Sequence, residues 1–233
     1  MANALDEREH RFGVFDAWVV YLDVYGFSAM VKGGMSAELQ ERLIRTHKKA
    51  RKLVKRNSPD ATYIFISDST CLVYPAPENS NRLANLDRCA EDVSEIMTLF
   101  LEEGLPLRGS AAFGEVAYGD RILVGRPVLR AVSLEKSIPF PLVVVPLSEL
   151  YPSGKSPTEL DNWGRFTLQK IAVRPTGQLH ALIIFPSNLD SFAEKVRRLL
   201  DRYLTFGPPE VAVAWALASE HLQAHFHSLD DRR

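Results

Sequence analysis

The chain has 233 residues, of which 46% are hydrophobic and 24% are charged, and its formal net charge at pH 7 is −1. This is an ordinary globular composition, and the near-neutral charge argues against a protein built mainly to bind nucleic acid. No apolar stretch approaches the roughly 18 residues of a membrane span, the first residues lack a secretion signal, and two cysteines cannot form a disulfide framework, so we expect a cytoplasmic protein without membrane association.

Hydrophobic spacing predicts alternating strands and helices in the first two thirds of the chain. Runs of β-branched and aromatic residues mark the strands, and apolar residues recurring every three or four positions mark the helices. In chain order, the predicted elements are a strand at Trp18–Tyr25, a helix from an N-cap at Ser36 to about Lys55, a hairpin over residues 61–74 with its turn near Asp68, a helix to about Glu103, a strand pair at Leu107–Tyr118, a helix at Val124–Glu135 and a buried strand at Phe140–Val145.

The remaining third predicts further elements of the same kinds. They are a loop at Pro152–Thr158, strands near Phe166–Val173 and Leu179–Phe185, and helices near Asp190–Tyr203 and Glu210–His227. We therefore divide the chain into a polar segment (1–14), a single α+β domain (15–190) and C-terminal helices packed on that domain (191–233). The order β-α-β-β-α-β is that of ferredoxin-like domains, in which helices cover a mostly antiparallel sheet.

Two aspartates interrupt otherwise apolar strands. Asp23 ends the first strand and Asp68 lies at the predicted hairpin turn. A carboxylate in such surroundings is costly to bury unless it is paired or bound to a cation. Each could instead be a turn or capping residue. Two acids at the edges of neighbouring strands, with no His or Cys beside them, favour a shared Mg²⁺ or Mn²⁺ site.

The segments around these acids resemble class III nucleotidyl cyclase domains. Residues 21–28 look like the opening motif of that family, in which an aromatic residue, an aspartate and a Gly-Phe-Ser/Thr run follow in fixed order, and the spacing to Asp68 is close to that of the family. Residues 107–116 resemble its arginine- and glycine-containing strand, and residues 124–135 give a weaker fourth match. Within the family, the chain is most similar to the bacterial pyrimidine cyclases of Pycsar anti-phage defence.

The resemblance implies a fold, an assembly and a site. The fold is a ferredoxin-like α+β domain that pairs head to tail as a homodimer with active sites at the interface. Asp23 and Asp68 would bind two Mn²⁺ or Mg²⁺ ions that activate the ribose 3′-hydroxyl of a nucleoside triphosphate and stabilise charge at its α-phosphate. Arg108 would grip the phosphates. The amides that would hold the triphosphate are those of Val24, Tyr25, Gly26 and Phe27.

The chain departs from the purine cyclases of this family where the base and the transition state are recognised. Ile64 stands where purine cyclases have a lysine or glutamate, and their other base-reading acid falls near Ile122. Their transition-state asparagine and arginine align with Leu129 and Ser133. Because pyrimidine cyclases depart in the same way, the resemblance favours a pyrimidine substrate over ATP or GTP.

Two further positions are candidates for substrate binding. Tyr21 stands two residues before Asp23, where its hydroxyl could bond to a small base, although a core aromatic is an equally good interpretation. Arg130, or alternatively Arg126, could substitute for the missing transition-state arginine, but a solvated arginine is as consistent with the sequence.

The resulting hypothesis is a pyrimidine nucleotide cyclase that converts UTP, or CTP, to the 3′,5′-cyclic nucleotide and pyrophosphate. The product would be a second messenger in anti-phage defence that acts on a cyclic-nucleotide-responsive effector protein. Retention of both acids and Arg108 favours an enzyme. Loss of the asparagine–arginine pair favours the first alternative, a non-catalytic nucleotide-binding module, and a purine cyclase with an unusual base pocket is the second.

Overall fold

A computed structural model describes residues 13–32, 34–76, 82–139, 141–150, 166–173 and 177–184. The expected loop at 152–158 and the two expected C-terminal helices lie outside the described residues, as do most of the polar N-terminal segment and the 190/191 domain boundary. Among the described helices, none is long and apolar enough to cross a membrane.

The described part contains eight strands and five helices. They are β1 (Gly13–Val24), α1 (Phe27–Met30), α2 (Ala37–Asn57), β2 (Thr62–Ile66), β3 (Ser69–Pro75), α3 (Arg82–Glu102), β4 (Leu107–Gly119), β5 (Ile122–Gly125), α4 (Arg126–Ser137), β6 (Val143–Pro146), α5 (Leu147–Leu150), β7 (Phe166–Val173) and β8 (Gly177–Ile184).

The strands form one sheet in the order β2-β3-β1-β4-β6-β8-β7, with β5 paired to β4. All neighbours are antiparallel except β4 and β6. The α+β class with a mostly antiparallel sheet and covering helices is therefore confirmed.

The two faces of β1 have different surroundings. Trp18, Val20, Leu22 and Val24 are fully buried in the main core, which also contains the apolar stripes of α2 and α3. The opposite face of β1 begins with buried Ala17 and Val19 and then turns polar at Tyr21 and Asp23. Among the described residues, this second face is covered only in part, by α4. In that part of the chain, the polar end of β1 therefore lies beyond the region that α4 covers.

Most predicted elements are present, with shifted ends. The side chain of Ser36 accepts a hydrogen bond from the Leu39 amide at 3.1 Å, so the predicted N-cap of α2 is confirmed. The hairpin around Asp68 is also confirmed, as β2 and β3. The buried strand predicted at Phe140–Val145 begins only at Val143.

The predicted strand pair at Leu107–Tyr118 is wrong, because β4 runs through it as one strand of 13 residues. The glycines of β4 do not form a turn. At Gly109 the absence of a side chain allows the neighbouring strand β1 to pack closely. A Cβ atom on Gly109 would lie only 2.5 Å from the main-chain oxygen of Tyr21. The predicted helix at Val124–Glu135 starts two residues late, since residues 122–125 pair with β4 as β5.

Candidate active site

The strand register brings the candidate residues into two neighbouring rows across β2, β3, β1 and β4. Residues paired directly across antiparallel strands point to the same face of the sheet. The first row, here called the acid row, contains Ile66, Ser69, Asp23 and Arg108. The second, here called the neutral row, contains Ile64, Cys71, Tyr21 and Ser110. Sequence spacing alone did not show this alignment.

Asp23 is the central carboxylate of the acid row. Its Oδ1 accepts a hydrogen bond from the Ser69 hydroxyl at 2.8 Å, and its Oδ2 lies 3.8 Å from Nη2 of Arg108. Burial raises the pKa of Asp23 to about 6, and the charges of Asp68 and Glu135 act in the same direction. The hydrogen bond from Ser69 and the charge of Arg108 lower it but do not compensate. The site holds more negative charge than its own cations neutralise.

Asp68 lies in the turn between β2 and β3, next to Ser69 of the acid row. The preceding residue, Ser67, has a φ of 61°, which places it in the left-handed region. The carbonyl oxygen of Asp68 accepts a hydrogen bond from the Val24 amide at 3.3 Å. This bond ties the turn to the end of β1, so the two aspartates predicted to share a metal are adjacent in the fold.

Arg108 is held by helix α4, by the residue that follows this helix and by the turn after β1. Its Nε and Nη2 atoms both bond to the carboxylate of Glu135 on α4, and its Nη1 donates to the carbonyl oxygen of Ile138 at 3.1 Å. Its guanidinium carbon lies 5.3 Å from the centre of the Tyr25 ring. The guanidinium therefore has a fixed position beside Asp23.

Glu135 is a site residue to which sequence reasoning gave no role. It is only 2% exposed, and burial raises its pKa, against the opposing effect of Arg108. The available signal was its place at the end of the fourth motif match, but only the packing of α4 on β4 shows which arginine it binds. Its carboxylate orients Arg108.

The turn after β1 was expected to offer four amides to a triphosphate. The Val24 amide donates to Asp68 and the Tyr25 amide donates to the carbonyl of Pro106 at 2.8 Å, so both are engaged within the fold. Gly26 adopts a φ of 79°, which favours glycine, and leads into α1. Among the described residues, the amides of Gly26 and Phe27 have no main-chain acceptor. Those two are the amides available to a ligand.

Tyr21 lies one row away from Asp23 on the same face. Burial raises the pKa of its phenol, and Ser69 is within hydrogen-bonding range of it. It is half-buried and does not belong to the main core. Ile64 is two strands away in the same row. The two residues expected to bear on base choice therefore share one row beside the acids.

Arg130 lies away from the acid row in this chain. Its Nε and Nη2 bond to Glu149 at 2.8 and 2.9 Å, and Nη2 also donates to the carbonyl of Phe113. Phe113 is five residues beyond Arg108 on β4, a distance of about 17 Å along a strand. Within this chain Arg130 is engaged by a carboxylate of α5, and its contact with substrate as a substitute for the missing transition-state arginine stays a prediction. Leu129, beside it, is 72% exposed.

The acid row suits a magnesium-type ion better than a closed metal centre. Among the described residues, no three His, Cys, Asp or Glu side chains are placed to hold a metal together. Mg²⁺ usually binds through one or two carboxylates, with water and substrate phosphates supplying the other ligands. Asp23 and Asp68 provide two such carboxylates, and because burial raises the pKa of Asp23, a bound cation would stabilise its charged form. The donor set therefore fits Mg²⁺ or Mn²⁺.

Comparison with solved structures decides the fold. The adenylyl cyclase CyaB from P. aeruginosa is 15% identical, with a TM-score of 0.54 over 76% of this chain and 97% of that one. The guanylate cyclase domain of RhGC from Catenaria anguillulae, solved in complex with GTP, is 16% identical, with a TM-score of 0.55 over 76% and 100% of the two chains. The chain has the fold of a nucleotidyl cyclase catalytic domain.

A dimeric guanylyl cyclase domain of the RhoGC fusion protein from Blastocladiella emersonii gives the same result. It is 14% identical, with a TM-score of 0.54 over 76% of this chain and 98% of that one. No protein-family model matches the sequence, and no curated protein matches it. At these identities the likeness shows the cyclase fold alone.

Proposed function

We propose that this protein is a divalent-metal-dependent nucleotidyl cyclase. The observation that carries the proposal is the acid row with the adjoining turn, which bring Asp23, Asp68 and one fixed arginine together at one end of β1 in a cyclase fold. Cyclisation of a nucleoside triphosphate requires carboxylates that hold divalent ions and a positive group that binds phosphate. Asp23 and Asp68 are such carboxylates, and the guanidinium of Arg108 is such a group.

Each residue of the site has a distinct task in this reaction. Asp23 and Asp68 hold the divalent ions, which when bound activate the 3′-hydroxyl and neutralise charge at the α-phosphate. Arg108, oriented by Glu135, binds phosphate oxygens, and the free amides of Gly26 and Phe27 bind the triphosphate chain. The 3′-oxygen bonds to the α-phosphorus, the 3′-hydroxyl proton passes to solvent water, and the bond from the α-phosphorus to the β-phosphate oxygen breaks to release pyrophosphate.

We further propose that the base is a pyrimidine, UTP or CTP. Support comes from the neutral row, whose four side chains carry no charge. Burial raises the pKa of the Cys71 thiol to about 12, so it stays neutral, and the Ser110 hydroxyl is occupied by the carbonyl of Ala131. Ile64 offers no hydrogen bond to a purine edge, whereas Tyr21 offers a hydroxyl to a smaller ring. The cyclic product would then act on an effector protein in anti-phage defence.

A homodimer is the proposed active assembly. The structural neighbours include a dimeric cyclase domain. Three apolar side chains that line a groove between β5, α4 and the start of β1 are more than half exposed, and a second copy would remove apolar surface of this kind from water. They are Val14, Val124 and Leu129. Sedimentation across a range of concentrations tests this proposal, and a fully active monomer would contradict it.

The deciding experiment is to incubate the purified protein with each of the four ribonucleoside triphosphates and Mn²⁺, and to measure cyclic nucleotide and pyrophosphate. We expect UTP or CTP to be turned over much faster than ATP or GTP. Asp23→Ala and Asp68→Ala should each abolish turnover while circular dichroism shows a retained fold.

Each alternative function predicts a different result in the same experiment. A purine cyclase, the activity named for the structural neighbours, would use ATP or GTP best. A binding module would bind a triphosphate without forming product. If either aspartate variant keeps most of its activity at saturating Mn²⁺, the metal assignment is wrong.

A further inference from the structure

His47 connects helix α2 to the hairpin that carries Asp68. Its ring is only 1% exposed, and its Nδ1 lies 2.9 Å from the Tyr63 hydroxyl and 3.4 Å from the Thr70 hydroxyl. The ring also stacks on Phe65, with 4.7 Å between ring centres and an interplanar angle of 18°. Tyr63 and Phe65 belong to β2 and Thr70 to β3, so His47 contacts both strands beside the turn.

The position of β2 depends on few other contacts. Among the described strands it lies at the edge of the sheet and pairs only with β3. Residues alternate along a strand, so Tyr63 and Phe65 face α2, whereas Ile64 and Ile66 end the two rows of the site. The hydroxyls of Tyr63 and Thr70 lie 3.5 Å apart, which closes a triangle with His47. Loss of this triangle would free the edge strand from the helix layer.

The identity of residue 47 is not explained by core packing. Its Nε2 is buried and has no hydrogen-bond partner in the described part of the chain. Burial lowers the pKa of His47 to about 4, so the ring is neutral at neutral pH. An unpaired buried nitrogen destabilises a fold, and leucine or methionine would avoid this cost. What histidine adds at this position is the polar link to the hairpin.

We propose that His47 is a positioning residue, which fixes β2 and the turn of the β2–β3 hairpin on α2 and thereby holds Asp68 against the end of β1. The bond that depends on this position is the one from the Val24 amide to the Asp68 carbonyl oxygen at 3.3 Å, whereas Ser69 is already held beside Asp23 by strand pairing. The expected effect of His47 on turnover rests on the proposed cyclase function. Its expected effect on the stability of the hairpin does not depend on that function.

Four variants test the proposal. His47→Leu removes the polar link and keeps an apolar side chain, whereas His47→Gln restores a group that can bond to Tyr63. Tyr63→Phe removes the same link from the other side. Leu43→Ala is the matched control, because Leu43 lies one turn earlier on the same buried stripe of α2 and makes no polar contact with the hairpin.

Hydrogen exchange of peptides covering residues 62–75 is the first measurement, made on the full chain without nucleotide. Losing a hydrogen bond of ordinary strength should speed exchange of the hairpin in His47→Leu by about tenfold, while α3 keeps its wild-type protection. His47→Gln should restore most of the protection. Adding Tyr63→Phe to His47→Leu should change little further, since the link is already lost.

Steady-state turnover with the preferred triphosphate is the second measurement. We expect kcat of His47→Leu to fall about fivefold to tenfold with KM nearly unchanged, because the misplaced hairpin affects the metal-binding acid and not the phosphate contacts. Leu43→Ala should lower the melting temperature and leave kcat unchanged.

Two results would overturn the positioning role: unchanged exchange in the hairpin of His47→Leu, or equal exchange and kcat effects in Leu43→Ala. If the wild type turns over no triphosphate, the cyclase proposal fails, and the exchange measurement still decides the role of His47.

Discussion

Helix α4 takes part in two arginine–glutamate pairs that are alike in chemistry and different in surroundings. Arg108 of β4 binds Glu135 of α4, and Arg130 of α4 binds Glu149 of α5. Both carboxylates are largely buried. The first guanidinium also lies 3.8 Å from Asp23, whereas the second donates to the main-chain carbonyl of Phe113.

The difference between the pairs is the balance of charge. Glu149 also accepts a hydrogen bond from the Phe113 amide. In this pair one positive charge and one negative charge neutralise each other. Around Arg108, one cation faces the carboxylates of Glu135, Asp23 and Asp68, which interact electrostatically. A buried arginine–carboxylate pair therefore does not by itself mark a site. An excess of acids over bases beside it does, because the excess is stabilised only when a cation binds.

Removing both members of each arginine–glutamate pair should give the largest difference in kcat/KM between the two pairs. The variants Arg108→Met/Glu135→Gln and Arg130→Met/Glu149→Gln each remove one charge of either sign, so neither leaves the partner of the deleted pair buried alone, and both should fold. The first should lower kcat/KM by about 100-fold or more, since a phosphate-binding cation is lost, and the second should change it by less than about threefold. Turnover and urea unfolding measured side by side test this. If both double variants lose kcat/KM equally, Arg130 takes part in the reaction, and the conclusion that only the Arg108 pair belongs to the site is wrong.

Burial of Asp23, together with the charges of Asp68 and Glu135, should also be visible as a stability cost. The pKa of Asp23 is raised to about 6 in the fold from 3.8, so its contribution to stability is fully present below pH 3.8 and is lost as the pH rises through 6. Asp23→Asn keeps an acceptor for Ser69 and removes the charge. The metal-free variant should therefore be about 1–3 kcal/mol more stable than wild type at pH 8 and equal to it near pH 3.5.

Urea unfolding in EDTA at the two pH values measures this difference. His47 has the opposite sign, because its lowered pKa costs stability as the pH falls from 6.5 to about 4, but it is present in both proteins and cancels. Adding Mn²⁺ at pH 8 should stabilise wild type and not Asp23→Asn. A variant less stable than wild type at pH 8 would show that the Asp23 charge is already compensated within the fold.

The sequence was sufficient to predict the parts of the site that stand out locally. Asp23 and Asp68 break apolar strands, and the hairpin between β2 and β3 follows from residue pattern alone. Those signals depend on near neighbours in the chain, where hydrophobic period and turn chemistry act directly.

What the sequence could not predict depends on register and on packing between distant elements. Glu135 and Arg130 lie on one helix, and only the packing of that helix assigns them to Arg108 and Glu149. By its spacing His47 is one member of the buried stripe of α2, and nothing nearby in the chain shows that Tyr63 and Thr70 approach it. The roles of these residues follow from contacts and not from motifs.

The smallest expected effect concerns Tyr21, whose hydroxyl is a polar group of the neutral row. Tyr21→Phe removes that hydroxyl and keeps the ring, so packing is preserved. A hydrogen bond to the base is worth about 0.5–1.5 kcal/mol, which corresponds to a loss of about threefold to tenfold in kcat/KM for the preferred pyrimidine. Turnover of ATP and GTP should be unchanged, because a purine would not rely on this contact.

Tyr25→Phe is the matched control for Tyr21→Phe. Its hydroxyl donates to the carbonyl of Pro139 at 3.1 Å, and its ring lies beside Arg108, so this variant loses a hydroxyl near the site without altering the neutral row. We expect it to lower stability by about 1 kcal/mol and to leave the ratio of pyrimidine to purine turnover unchanged. If Tyr21→Phe also leaves that ratio unchanged, Tyr21 does not read the base and is a strand aromatic. A changed ratio in Tyr21→Phe alone would assign base choice to the neutral row, because the two variants differ only in which hydroxyl is missing.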